Sequence, residues 1–266
     1  MNYQHTYLLK IQFLGFRLHG WQKQTKLKTV HFVVDKTLKF VLGNTRFKTV
    51  GVGRTDAKVS AANYPLQLFV DEKLETPIFL ESFNKNSLAD LLLLEVQKIS
   101  NTSFNIIQHE KIKEYRYHFS NEGKNHPFCA PLMTGYQDLN IELMKAGAKL
   151  FEGTHYFGAY CSKPSEATQL IRTVVSCEIV ESDTFQGDFF PKQSYVLKVQ
   201  GKGFLRYQVR LMMGALVELG RGETSLEDLQ NSLIEKEERT IIGTIAPGSG
   251  LQLYSVIFQD LHDYLE

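Results

Sequence analysis

The sequence predicts a mixture of α and β elements, and three features of the chain lead to that prediction. Segments with a period of two alternate with segments whose apolar residues recur every three or four positions. Connections between them are mostly short, with no low-complexity stretch and no internal repeat. A roughly polar stretch from His118 to Asp138 is a candidate break between two halves.

The elements follow in order. His5 to Phe13 reads as a strand. Thr29 can cap a helix to about Leu42, with Val30, Val33, Val34, Leu38, Val41 and Leu42 on one face and Gly43 as the stop. Phe47 to Val52 and Pro65 to Val70 read as strands, and Leu91 to Ile99 is apolar enough for a buried one. Lys113 to Ser120 alternates as a strand should, and Asn140 to Phe151 is an amphipathic helix ended by Gly153. Val174 to Ser182 and Tyr195 to Gln200 are strands, and Phe204 to Leu219 is a helix closed by Gly220. Ser225 can cap another helix, and Leu251 to Phe258 is a last strand.

Composition narrows the functional classes. At 266 residues the chain can hold one large domain or two ordinary ones, with a substantial core. A hydrophobic fraction of 43% and a charged fraction of 22% are those of a globular protein. No apolar run is long enough to span a bilayer, and the opening MNYQHTYLLKIQF lacks the traits of a signal peptide. A cytoplasmic location is therefore expected. The three cysteines, Cys129, Cys161 and Cys177, are widely spaced, and the eight histidines form no HExxH motif. Neither a disulfide framework nor a structural metal is expected.

The formal net charge of +1 is a cancellation. Residues 1–60 carry eleven Lys and Arg against Asp35 and Asp56, a local net of +9. Residues 223–266 carry nine acids against Lys236 and Arg239, a local net of −7. A segregated basic face suits a phosphate backbone, because each paired phosphate releases counterions. A chance imbalance on a solvated surface reads equally well from charge alone.

Three segments can carry chemistry. Gly53-Arg54-Thr55-Asp56-Ala57 follows a strand, which places the Asp56 carboxylate at a strand end; a turn in which Asp56 bonds its own backbone is the competing reading. In Lys113-Glu114-Tyr115-Arg116-Tyr117-His118-Phe119, the aromatic side chains share one face and Arg116 and His118 the other. That face can stack a nucleobase or pack into a core. Gly203-Phe204-Leu205-Arg206-Tyr207-Gln208-Val209-Arg210 opens a helix, and Arg210 borders its apolar stripe, where a buried guanidinium needs a partner. Gly201-Lys202-Gly203 lacks the third glycine of a dinucleotide fingerprint.

Together these segments resemble the TruA family of tRNA pseudouridine synthases. Tyr7–Phe13 with Gly15-Phe16-Arg17-Leu18-His19-Gly20-Trp21-Gln22 is similar to the family's opening, and Gly53–Ala57 to its signature loop. Lys113–Tyr117 resembles its two-tyrosine strand, and Gly153-Thr154-His155-Tyr156-Phe157 a helix-ending segment. Gly203–Arg210 with Gly214 resembles its arginine helix, and Ala246-Pro247-Gly248-Ser249-Gly250-Leu251 its closing segment. Departures are present too. Lys58 stands where the family usually has glycine, which either changes the loop's backbone or adds a phosphate contact. Asn63-Tyr64-Pro65 replaces Gly-Gln-Val, and Phe104-Asn105-Ile106-Ile107 replaces Phe-His-Ala-Arg, losing a cation.

The resemblance implies an α+β pseudouridine synthase fold, with two α/β halves related by pseudo-symmetry and antiparallel sheets joined around a central cleft. The halves expected are residues 1–110, carrying the Asp loop, and 111–266, carrying the Tyr strand and Arg helix. It implies isomerisation of uridine in the anticodon stem-loop of tRNA, without cofactor or metal, by a homodimer; a catalytically silent RNA-binding member, or a synthase acting on a different RNA, is the alternative reading. Asp56, Tyr115 and Arg210 are the implied catalytic residues. Arg17, Trp21, Gln22, Arg54, Lys58, Lys113 and Arg206 are the candidate RNA contacts.

Overall fold

The computed structural model describes residues 3–101, 103–235 and 242–266. It divides into two compact units, Met1–Lys111 with Leu253–Glu266, and Ile112–Gln252. Residues 236–241 of the acidic C-terminal stretch lie outside the described residues.

In chain order the first unit contains β1 (His5–Phe13), α1 (Val30–Leu42), β2 (Phe47–Gly51), β3 (Ser60–Val70), α2 (Thr76–Asn86) and β4 (Leu91–Lys98). β1 runs antiparallel between β3 and β4, and β2 pairs antiparallel with β3. Tyr7, Leu9 and Ile11 of β1 stand opposite Leu68, Leu66 and Tyr64 of β3, all six fully buried. Because side chains alternate along a strand, these residues form one apolar face. α1 buries Val30, Val33, Val34 and Leu38, four of the six residues of the expected stripe, and the Thr29 hydroxyl accepts from the Phe32 N–H at its start.

Two features of this unit escape period reasoning. α2 buries only Phe79 and Phe83, one turn apart, too sparse a pattern to read as a helix; its one signal is a proline in the first turn. β3 begins five residues earlier than expected, because Asn63-Tyr64-Pro65 continues the strand, with Tyr64 buried opposite Ile11.

The second unit contains β5 (Lys111–Ser120, from Ile112), β6 (Thr134–Gly135), α3 (Ile141–Leu150), β7 (Gly153–Tyr156), β8 (Ile171–Glu181), β9 (Ser194–Gly201), α4 (Gln208–Gly220) and α5 (Leu226–Asn231). Its sheet runs β5-β9-β8-β7 in antiparallel pairs, with the short β6 parallel to β5. α3 packs on β8 and on α4. Along α4 only Arg210 and Glu218 are partly exposed, so the helix is buried on nearly every side. The helix starts four residues later than expected. Tyr207 takes the left-handed conformation at φ +63°, and the side-chain oxygen of Gln208 accepts from the Leu205 N–H.

The last strand, β10 (Leu251–Phe258), carries the chain back to the first unit, to which its residues from Leu253 belong. It lies beside β3. Beyond it, the Gln259 N–H donates to the Glu110 carbonyl, and Lys98 pairs with Glu266 at 2.5 Å. A boundary drawn after residue 110 puts this segment with the second half, because chain order carries no information about a long-range strand partner. Among the described residues no helix is long and apolar enough to cross a membrane, and no cluster of His, Cys, Asp and Glu is placed to hold a metal ion.

His118 of β5 lies on the face opposite Tyr117, 2% exposed, with the Phe185 ring edge-on at 4.9 Å. Burial first, then the charge of Arg116, lowers its pKa to about 4 against a smaller upward pull from Gln252. It is therefore a neutral core residue at pH 7. The unfolded chain protonates this residue near 6.5 and the folded chain does not, so its contribution is complete above that pH and is lost as pH falls toward 4. Urea denaturation at pH 5.0 should show about 2 kcal/mol less stability from this group than at pH 7.5. His118→Leu should flatten that part of the slope; an unchanged slope would rule out this origin.

Candidate active site

In the first unit the Asp56 loop joins β2 to β3 and is fastened along its length. The Tyr64 hydroxyl donates to the Gly53 carbonyl at 2.6 Å, and the Trp21 N–H donates to the Thr55 carbonyl at 3.0 Å. The Lys58 N–H donates to the Leu18 carbonyl at 3.0 Å, and the Gly15 N–H to the Ser60 hydroxyl at 2.9 Å. Two glycines permit this approach. A Cβ at Gly15 would stand 1.9 Å from the Val59 carbonyl oxygen, and one at Gly20, where φ is +78°, 2.6 Å from that of Thr55. The Trp21 ring stacks on Tyr64 at 4.2 Å and on His31 at 5.0 Å. Residues 15–21 and 51–60, separate motifs in sequence, thus fold as one piece. Asp56 is half-buried in it, while Arg54 and Lys58 are exposed.

In the second unit three other segments meet. The half-buried Tyr115 of β5 meets the Phe204 ring edge-on, at 5.2 Å and 90°. Tyr117, two residues on, is fully buried, and its hydroxyl donates to the Pro247 carbonyl at 3.0 Å. Burial holds the Tyr117 phenol well above its ordinary pKa, so it stays protonated. Arg210 of α4 donates from Nε to the Ala246 carbonyl at 2.7 Å, and the Ala246 N–H returns a bond to the Arg210 carbonyl at 3.2 Å. The segment 246–251 therefore ties the tyrosine strand to the arginine helix. Arg116 is held by Glu114 at 2.7 Å, and Glu114 also accepts from Gln200.

Gly214 makes this junction close. A Cβ there would stand 1.8 Å from the Thr244 carbonyl oxygen, so helix and closing segment meet backbone to backbone. Gly214→Ala must push the Thr244–Ala246 backbone outward. The expected cost is about 2–3 kcal/mol of stability, together with displacement of the Arg210 anchor. Thermal unfolding should show it; a wild-type midpoint would mean that the segment yields freely.

A family model described as tRNA pseudouridine synthase matches residues 148–259. A tRNA pseudouridine synthase A 2 from Bacillus cereus is 30% identical over 256 residues, covering 96% of this chain and 100% of the relative. The chain belongs to the tRNA pseudouridine synthase A, or TruA, family. A relative from Bacillus anthracis is also 30% identical over 256 residues, and one from Thermoanaerobacter pseudethanolicus 28%, covering 94% of this chain and 98% of itself. Residues 148–259 take in Arg210 and the closing segment, and the full-length relatives extend the similarity across Asp56 and Tyr115.

The departures from the TruA pattern have structural counterparts. Lys58 has φ +68°, the left-handed conformation natural to the family's glycine. The backbone there costs a lysine about 1–2 kcal/mol, and the substitution adds an exposed ammonium 5.6 Å from the Phe16 ring. Tyr64 supplies the hydroxyl that holds Gly53, a role that nothing in a single sequence signals. Gly153-Thr154-His155-Tyr156 forms β7 rather than closing a helix, and the His155 ring bonds the Glu152 carbonyl at 2.7 Å.

The remaining candidates differ in setting. Gln22 and Arg206 are exposed, and Lys113 is half-buried. Arg17 is exposed but directs both Nε and Nη2 at Asp90. Trp21, expected as an RNA contact, is 5% exposed, and its indole supports the Asp56 loop from inside.

Proposed function

We propose that this chain is a tRNA pseudouridine synthase that isomerises uridine in the anticodon stem-loop, with Asp56 as its nucleophile. The observation that carries the reading is near full-length similarity to synthases of this name, combined with an Asp56 loop fastened at Gly53, Thr55 and Lys58. A reacting carboxylate has to be held in a fixed place, and a loop tied at three points does so.

The target uridine leaves its stack and enters a pocket. The Asp56 carboxylate attacks C1′, or stabilises positive charge there, as the C1′–N1 bond breaks. The freed base turns, a C1′–C5 bond forms, C5 loses its proton and N1 gains one, so the product is an isomer of the substrate. Tyr115 is the residue that stacks on the base, and Arg210 the one that supplies a guanidinium to the reaction. Arg54, Lys58, Gln22, Lys113 and Arg206 contact RNA, and so does Arg17, through the part of its guanidinium that Asp90 does not engage. Trp21 serves as the support of the loop. The protein acts as a homodimer in the cytoplasm.

Pseudouridine mapping of total RNA from cells with and without the gene tests this. Loss of a pseudouridine in an anticodon stem-loop, restored by wild type and not by Asp56→Asn, is the expected result. Loss at another RNA position would correct the substrate, and an unchanged map would overturn the reading.

A further inference from the structure

Tyr207 immediately precedes α4 with φ +63°, a conformation rare for side chains other than glycine. A bulky residue held there marks a geometry that its surroundings impose. The imposing contacts are local: Gln208 accepts from the Leu205 N–H through its side chain at 2.8 Å and donates to the Leu205 carbonyl from its backbone at 3.1 Å.

This joint has two consequences. In one continuous helix, Phe204 and Arg210 would be six positions apart and would point about 120° from each other. The left-handed joint frees them to be aimed separately, Phe204 against the Tyr115 ring and Arg210 along α4. It also places the Tyr207 ring beneath two cations. The guanidinium carbon of Arg206 lies 5.2 Å from the ring centroid, and that of Arg210 lies 4.9 Å from it.

Arg210 is thereby touched from two sides. Its Nε edge is fixed by the Ala246 carbonyl at 2.7 Å, and its guanidinium carbon lies over the Tyr207 ring.

We propose that Tyr207 is a positioning residue for pseudouridine formation, its ring setting the orientation in which Arg210 meets the target nucleotide. This rests on the reading that Arg210 acts in the reaction. The ring, not the hydroxyl, is the working part, and a left-handed tyrosine rather than glycine is what supplies it.

The test is single-turnover kinetics of the full-length protein on a tRNA transcript, with tRNA affinity measured in parallel. Tyr207→Leu and Tyr207→Gly should each lower the rate constant about tenfold with tRNA affinity unchanged. Tyr207→Phe should restore most of the rate. Tyr207→Gly should unfold at the wild-type temperature or above it, since glycine relieves the backbone. In an Arg210→Lys background, Tyr207→Leu should add nothing.

A wild-type rate for Tyr207→Leu beside an impaired Arg210→Lys would overturn this proposal and leave the catalytic reading standing. So would an equal loss for Tyr207→Phe, or full additivity with Arg210→Lys. A fully active Arg210→Lys would instead remove the reading beneath it, and the proposal with it.

Discussion

Asp56→Asn is expected to abolish pseudouridine formation, by on the order of a thousandfold or more, while leaving tRNA affinity within about twofold. The substitution keeps the side chain's size and shape and removes its charge. The bonds fastening the loop run through the Gly53 and Thr55 carbonyls and the Lys58 N–H, none of which the substitution alters. A folding defect is therefore not expected, and a wild-type melting temperature should accompany the loss. Release of the C5 proton from uridine-labelled tRNA reads the reaction directly. More than about a tenth of the wild-type rate would remove Asp56 from the role of nucleophile.

Arg210→Lys is expected to lower the rate constant about a hundredfold or more, with only a small change in tRNA affinity. The guanidinium spends its Nε–H on the Ala246 carbonyl while its carbon lies 4.9 Å from the centre of the Tyr207 ring. An ammonium has no plane to set against the ring, and it cannot hold one edge at Ala246 while presenting a second. The returning bond from the Ala246 N–H to the Arg210 carbonyl is backbone and survives, so α4 keeps its place. Single-turnover kinetics separate the outcomes. A rate within about threefold of wild type would show that charge alone suffices at this position.

Much of the fold was legible because local periodicity and caps decide it. β1 and α1 have the bounds that the pattern predicts, since Thr29 and Gly43 mark the helix ends and alternation marks the strand. α2 was not legible, because its pattern reduces to Phe79 and Phe83. The start of α4 was misread because Phe204 to Tyr207 keeps helical periodicity while the backbone at Tyr207 turns left-handed, and periodicity does not report φ. The burial of Trp21 was not legible for a related reason. Its stacking partners His31 and Tyr64 lie 10 and 43 positions along the chain.

By itself the sequence determined the class of the fold, the family, and the residues that could carry chemistry, because each is written in local pattern and residue order. Tertiary structure alone decided how those residues are held. Tyr64 fastens Gly53, Gly15 and Gly20 admit the Asp56 loop, and Ala246 anchors Arg210. It also decided that the C-terminal strand belongs with the first unit. Each is a contact between distant segments, and its energy depends on distances of a few tenths of an ångström that no local pattern encodes.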